Sequence, residues 1–236
     1  TDIPITISVG GANSTAVAEF ALTFILNLAK GLPSLYSHQR KRTWIQGDPP
    51  LLLAGRTLGL VGLGYINHGL AKMAKALNMR VLACHRTGGP GERVDFVDEI
   101  VPRTELNYLL SESDFVVLGV PLTPETDSMI GEAELRAMKR SAYLVNVGRG
   151  KVVQETALVR ALEEGWIAGA GLDVFEQEPL PRHHPLWNVP NVIISPHLAG
   201  VSDKFMDSVV VVLCENLGRY LSGKPLLHLL DRRRGY

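Results

Sequence analysis

The sequence predicts an α/β fold built on a doubly wound parallel sheet, and three observations carry that prediction. Segments 57–61, 115–120 and 142–147 are apolar but for Thr57 and Asn146, as strands buried on both faces are, with no alternation of polar residues. Segments with helical spacing lie between the strands. The first clear strand runs straight into Gly62-Leu63-Gly64 and then into a helix, which is how a βαβ unit opens.

Taken in order, residues 3–7 (Ile-Pro-Ile-Thr-Ile) have the character of a strand. Residues 16–32 read as a helix that Ser14 or Thr15 caps and that Gly31 with Pro33 ends. Phe20, Leu22, Phe24, Ile25, Leu26 and Leu28 make this helix apolar nearly all round, so more than one side should be covered. Asp48-Pro49-Pro50 breaks the chain. Strand 57–61, helix 66–77 and strand 80–84 follow, then a Gly/Pro loop at 87–91. Next come strand 115–120, helix 132–138, strand 142–147, helix 155–164 and strands 169–174 and 192–195. The last helix, 202–221, carries Val209-Val210-Val211-Val212. There are no internal repeats or low-complexity tracts.

Composition narrows the class. The 236 residues are 46% hydrophobic and 20% charged, as in an ordinary globular chain. Lys+Arg and Asp+Glu each number 24, a net charge of zero that favours neither nucleic acid nor an anionic membrane. The run Arg232-Arg233-Arg234 is too short to alter this and reads as a solvated tail. Cys84 and Cys214 sit in apolar segments far apart, so they read as buried thiols of a reducing compartment, not as a disulfide or a metal site. No apolar run reaches the ~18–20 residues of a membrane span, and the N-terminus lacks the layout of a secretory signal. The expected location is the cytoplasm. His183 and His184 lie in a Pro-rich loop without metal-ligand spacing and read as loop residues.

Chemistry concentrates after the strands. Gly62 permits a tight turn and Gly64 lets backbone approach a pyrophosphate resting on the helix N-terminus, so this is a candidate dinucleotide site. The alternative is a glycine turn needed only for packing. The third glycine of that fingerprint is Asn67, a change expected to cost packing more than cofactor binding. Where an acid normally ends the second strand to bind the ribose hydroxyls, the sequence has Cys84-His85-Arg86-Thr87. An Arg there can pair with a 2′-phosphate, which tilts the cofactor from NAD towards NADP. Arg86 stacking on adenine or facing solvent would leave that choice open. Asp173 ends a Gly-rich strand and is expected to point into the ligand crevice, a helix cap being the other reading. Arg149, Glu178 and His197 each follow a strand. A cation that binds and polarises a keto acid, an imidazole that moves a proton and a carboxylate that orients it are what hydride transfer to a keto acid requires. Alone, each has a bland reading as a surface or structural residue.

The chain resembles the D-isomer-specific 2-hydroxyacid dehydrogenase family. The resemblance runs through Val61-Gly62-Leu63-Gly64-Tyr65-Ile66, Pro121-Leu122-Thr123-Pro124-Glu125-Thr126, Asn146-Val147-Gly148-Arg149-Gly150 and Gly171-Leu172-Asp173-Val174-Phe175. It continues in Glu178-Pro179, His184-Pro185-Leu186-Trp187 and Ser195-Pro196-His197. It implies a Rossmann-type NAD(P)-binding domain with remnants of a flavodoxin-like substrate domain. By resemblance Arg149 binds substrate, His197 is the acid/base and Glu178 its partner. Gly62, Gly64, Tyr65 and Ile66 would hold the pyrophosphate, Pro121 would line the adenine pocket, and Val147 and Asp173 would hold the nicotinamide carboxamide. His85, Arg86, Thr126, Ala199 and Gly200 complete the implied cofactor set.

The implied organisation is a substrate-domain remnant at 1–13, a dinucleotide-binding domain with a dimerisation helix and arm (16–44) at 14–200, and a C-terminal helix and tail at 201–236. The chain is expected to begin near the end of the substrate domain. The expected activity is hydride transfer between NAD(P)H and a small 2-keto acid such as glyoxylate, hydroxypyruvate or pyruvate. The competing reading is a non-catalytic NAD(H)-binding interaction module of corepressor type. A homodimer is expected around the 16–32 helix and the 35–44 segment, because that helix carries more apolar surface than one face of a sheet covers.

Overall fold

The computed structural model describes residues 3–6, 11–47, 49–89 and 91–232. Ile7, Asp48, Arg233 and Arg234 therefore lie outside the described residues. Seven parallel strands form the sheet: β1 (Thr57–Val61), β2 (Arg80–Cys84), β3 (Glu99–Val101), β4 (Phe115–Leu118), β5 (Tyr143–Asn146), β6 (Gly169–Leu172) and β7 (Val192–Ile194). Their order is β3-β2-β1-β4-β5-β6-β7. Helices α1 (Gly11–Ala29), α2 (Leu32–Arg40), α3 (Tyr65–Ala76), α4 (Leu106–Glu112), α5 (Glu132–Ala137), α6 (Glu155–Glu163) and α7 (Phe205–Leu221) accompany it. Every residue of β1, β4 and β6 is buried, because helices cover both faces.

The register places the chemistry. Val61 pairs with Cys84 and with Leu118, and Asn146 pairs with both Leu118 and Leu172, so these strands end together at one edge of the sheet. Strand order reverses between β1 and β4, where the chain winds outward in both directions. A crevice opens at such a switch point, beyond the carboxyl ends of the strands.

Two hydrophobic cores lie on opposite faces. One joins α1 and α3 to the sheet through Ala18, Phe24, Ile25, Leu58, Leu70 and Val145. The other joins α4, α5 and α6 through Leu109, Leu135, Ala161, Leu118 and Leu144.

Several expectations are corrected. The first helix begins by Gly11, so Ser14 and Thr15 lie inside it and cannot cap it. It ends at Ala29, and Gly31, left-handed with φ 63°, starts a second helix whose first turn holds Pro33. Proline suits that place because a first-turn amide has no intrahelical acceptor. Of the expected strand at residues 3–7, the described part makes a single bridge, Thr6 to Leu229. β3 and α4 have no counterpart in the sequence reading. Cys84 is buried as expected, whereas Cys214 is exposed on α7.

The helix expected to carry a dimer is covered in part within the chain itself, with Phe20, Leu22 and Leu26 left half-buried. Ala18, Ala21, Phe24, Ile25 and Leu28 are buried, and Phe24 lies so close over β6 that a Cβ on Gly171 would sit 2.6 Å from its ring. Exposed apolar residues cluster on the α2 arm (Leu35, Tyr36, Trp44, Ile45) and on α7 (Met206, Val210, Leu213, Leu217). Among the described residues no single helix is long and apolar enough to cross a membrane.

Candidate active site

The glycine turn after β1 is made by backbone. Gly62 takes φ 90°, a region that a side chain would strain, and its amide donates to the Cys84 carbonyl at 2.7 Å. A Cβ there would also meet the Gly119 carbonyl at 2.9 Å. Gly64 is the residue before α3, in extended conformation and with no side-chain cap. A Cβ added at Gly64 meets nothing within 4 Å, so open space lies in front of the helix N-terminus. First-turn amides without intrahelical acceptors, a positive helix end and free space are the requirements of a pyrophosphate. The residues present therefore fit a dinucleotide. Tyr65 is exposed and Ile66 half-buried beside the turn.

Next to the turn is a cavity of about 310 Å³ between the end of β2 and the 121–126 loop. Gly62, His85, Arg86, Pro121 and Thr126 line it, so five of the expected cofactor residues share one wall system. Thr126 shapes the loop: its hydroxyl donates to the Pro121 carbonyl at 2.6 Å and accepts the Thr123 amide at 2.8 Å. Arg103 also lines this cavity, and the sequence reading missed it. It follows the edge strand β3, and its guanidinium donates to the Glu125 carbonyl at 2.6 Å, bridging the mouth. Burial pushes the Cys84 thiol up, and the nearby Arg103 charge partly opposes this. The only signal was a lone Arg after Val101-Pro102, indistinguishable in sequence from a solvated side chain.

On the other side of the crevice the three expected chemical residues lie at the ends of neighbouring strands. His197 Nδ1 is 2.7 Å from Glu178 Oε2. The other Glu178 oxygen accepts the Phe175 amide at 3.0 Å, which sets the carboxylate's angle. His197 sits at φ 55°, left-handed for a non-glycine residue, and its amide donates to the Asp173 carbonyl at 2.9 Å. Strained backbone held by its surroundings is common where side-chain placement is functional. Partial burial pulls the Glu178 carboxyl up. The hydrogen bonds from His197 and Phe175 and the charges of His197 and Arg149 outweigh it and hold the group below the usual carboxylate range. Arg149 thus stands close enough to act on the pair, with its Nη1 donating to the Gly148 carbonyl at 2.7 Å.

Gly150 lets these loops meet. A Cβ at that position would sit 1.9 Å from the carbonyl carbon of Phe175, so only glycine allows the Arg149 loop to lie against the turn that leads to Glu178. A second His–Glu pair backs the turn: His184 Nε2 lies 3.0 Å from Glu155 Oε1. Glu155 accepts the Glu176 amide at 3.1 Å, and Glu176 accepts the Glu155 amide at 2.9 Å. His184, expected to be a plain loop residue, is a half-buried strut.

Asp173 is buried at the end of β6, where its carboxylate accepts from the Ser195 hydroxyl and from the amides of Leu198 (2.8 Å) and Ala199 (3.0 Å). It ties the segment that carries His197 to the sheet. Ala199 is buried with it, Gly200 is half-buried beside Val17, and Val147 is buried at the end of β5.

A family model described as the NAD binding domain of D-isomer specific 2-hydroxyacid dehydrogenases matches residues 22–199. The chain belongs to this family. Glyoxylate reductase of Korarchaeum cryptofilum is 43% identical over 94% of the chain and 68% of its own length. That of Thermococcus gammatolerans is 42% identical over 89% of the chain and 64% of its own length. The chain thus spans about two thirds of these relatives. Among solved structures, a D-isomer specific 2-hydroxyacid dehydrogenase of Xanthobacter autotrophicus with NADPH superposes with a TM-score of 0.88 at 34% identity, covering 100% of this chain and 95% of that one. The NADPH-dependent glyoxylate/hydroxypyruvate reductase of Sinorhizobium meliloti, with NADP, gives 0.89 at 28% identity, covering 100% and 74%. This 2-hydroxyacid dehydrogenase domain is accordingly an NAD(P)-binding domain, and its sheet is the family's Rossmann-type fold.

Proposed function

We propose that this chain reduces a small 2-keto acid of the glyoxylate, hydroxypyruvate or pyruvate type, with NADPH as the preferred hydride donor. The observation that carries the reading is the His197–Glu178 pair, 2.7 Å apart, beside Arg149 at the carboxyl edge of the sheet. Gly62, Gly64, Tyr65 and Ile66 would hold the pyrophosphate, and Pro121, Thr126, His85, Arg86 and Arg103 the adenosine end. Val147, Asp173, Ala199 and Gly200 would form the nicotinamide end, with Asp173 acting mainly through the loop it anchors. When bound, the cofactor supplies a hydride to the carbonyl carbon. Arg149 binds the substrate carboxylate and polarises its carbonyl. His197, bonded to Glu178 through Nδ1, presents Nε2 and delivers the proton to the developing alkoxide. Glu178 orients the ring and stabilises its charged form.

The lean to NADPH rests on Arg86 and Arg103, which line one cavity together with Glu125, and on His85-Arg86 standing where an acid would follow β2. The relatives with bound NADPH or NADP are in keeping with it. The non-catalytic module is disfavoured, since such a role needs neither the His–Glu contact nor its second supporting pair. We assign 14–200 to the dinucleotide-binding unit and the flanking segments to a second unit. The Leu230 amide bonded to the Ile5 carbonyl at 2.8 Å supports their association. We also place the protein in the cytoplasm as a homodimer that uses the exposed arm residues Leu35, Tyr36, Trp44 and Ile45.

The test is turnover of glyoxylate and hydroxypyruvate by the full-length protein with NADPH and with NADH, followed by nicotinamide absorbance. The reading expects both acids to be reduced, faster with NADPH at limiting cofactor. Cofactor binding without turnover of any 2-keto acid would restore the module.

A further inference from the structure

Asn67 stands where the dinucleotide fingerprint places its third glycine, and the room for its side chain comes from across the crevice. It lies in the first turn of α3 and is 1% exposed. Its Nδ2 donates to the Gly62 carbonyl at 2.7 Å and to the Val61 carbonyl at 3.3 Å. Opposite it is Gly119, just past β4. A Cβ there would fall 2.6–2.9 Å from the three carboxamide atoms, so any larger residue would expel the Asn67 side chain. Gly119 is itself tied to the same point, since its amide donates to the Val61 carbonyl at 2.9 Å.

The carboxamide has one allowed orientation. Turned over, it would set Oδ1 against two carbonyl oxygens. As placed, Oδ1 is buried with no partner among the described residues, so the side chain is held by its donor end.

We propose that Asn67 is a positioning residue for the cofactor, using the niche left by Gly119 to lock the Gly62–Leu63 peptide. Gly62 is at φ 90°, and glycine leaves that peptide plane free to turn. A trans peptide is planar, so its carbonyl and the following amide point in opposite directions. Drawing the Gly62 carbonyl inward turns the Leu63 N–H outward, towards the pyrophosphate. The substitution at the third glycine is thereby an addition to cofactor binding, contrary to its sequence reading as a cost in packing. The inference rests on the dinucleotide site and not on the choice of substrate.

The test is calorimetric titration of folded protein with NADPH and NADH. Asn67→Leu keeps the branched skeleton of four side-chain heavy atoms and removes the donor, though its methyl groups are bulkier than the carboxamide. It is expected to weaken both cofactors about tenfold, or ~1.4 kcal/mol, because the pyrophosphate is common to them. Gly119→Ala alone should do the same by displacing the carboxamide. Once the niche is filled from Gly119, Asn67→Gly should cost no further affinity, so Asn67→Gly/Gly119→Ala should equal Gly119→Ala within about twofold, the usual error of additivity. A purely structural role would lower the melting temperature and leave both dissociation constants unchanged. That result in Asn67→Leu, or in Gly119→Ala should the leucine variant not fold, overturns the proposal. Failure of the parent chain to bind either cofactor would instead overturn the dinucleotide assignment.

Discussion

The two sides of the crevice are built from different materials. At the β1–β2 side the ligand would meet backbone: Gly62, Gly64 and the amides of the first turn of α3, placed by local geometry within a few residues of one another. At the β5–β7 side it would meet the side chains Arg149, Glu178 and His197, brought together from three loops and held by Phe175, Asp173 and Gly150. Backbone is set by φ and ψ and has few ways to be wrong. Side chains from separate loops need a second layer of contacts to stand still, and a small misplacement there is expensive in rate.

The largest expected effect comes from the side-chain half. His197→Ala in the full-length enzyme should lower turnover by about 10²–10⁴-fold, the usual worth of general acid catalysis, while NADPH affinity stays near the parent's. Steady-state kinetics beside calorimetry measures both quantities. A parallel loss of affinity would mean that His197 belongs to the cofactor side and would break the comparison.

Two glycine variants come next and should divide the halves. Gly62→Val places a branched residue at φ 90° and against the Gly119 carbonyl, so cofactor affinity should fall by well over tenfold. Gly150→Ala drives a methyl into Phe175 and should cost about 1–3 kcal/mol of stability together with turnover, because the turn to Glu178 must move. In the protein that remains folded, its NADPH affinity should be close to normal. Thermal unfolding and titration of both variants give the comparison directly.

A smaller effect is expected at the adenosine end. Arg86→Ala and Arg103→Ala should each weaken NADPH by about tenfold, the order of one charge-assisted contact, and leave NADH nearly unaffected. Equal losses for both cofactors would show that these arginines contact the shared adenosine.

The smallest concerns pH. The folded-state pKa of Glu178 is depressed, so its stabilising contribution is complete above the ordinary glutamate range and is lost as pH falls through the lower folded value. Acid unfolding of Glu178→Gln should show a slightly flatter pH dependence in that acidic window, with its small stability deficit full near neutrality and gone at the acid end. Both members of the pair are well exposed, which keeps the effect small.

Much of this could be read from the residues. β1, β2 and β4–β7 were visible as short, mainly apolar segments between turns, and the glycine turn was recognisable by its place between a strand and a helix. β3 was invisible because Glu99-Ile100-Val101 sets only two apolar residues beside a charge, whereas the equally short β7 is apolar throughout, and α4 because its apolar face is a single turn of Leu106, Leu109 and Leu110. Arg149, Glu178 and His197 could be nominated by type, but the contact between Glu178 and His197 spans 19 residues with no periodic relation. Arg103 and the His184–Glu155 strut reach the site only through folding.

The contrast between α1 and α7 marks the boundary. Both are long apolar helices in sequence. α1 buries Phe24 and Ile25 under β5 and β6, and α7 leaves Val211 and Leu221 67% and 77% exposed. Local sequence by itself determined where strands, helices and the phosphate-ready turn form, because period and glycine conformation act over a few residues. Which apolar helix is covered, and which polar side chains meet in the crevice, was decided only by the tertiary structure. Burial and contact depend on what lies opposite, and the order of strands in the sheet settles that.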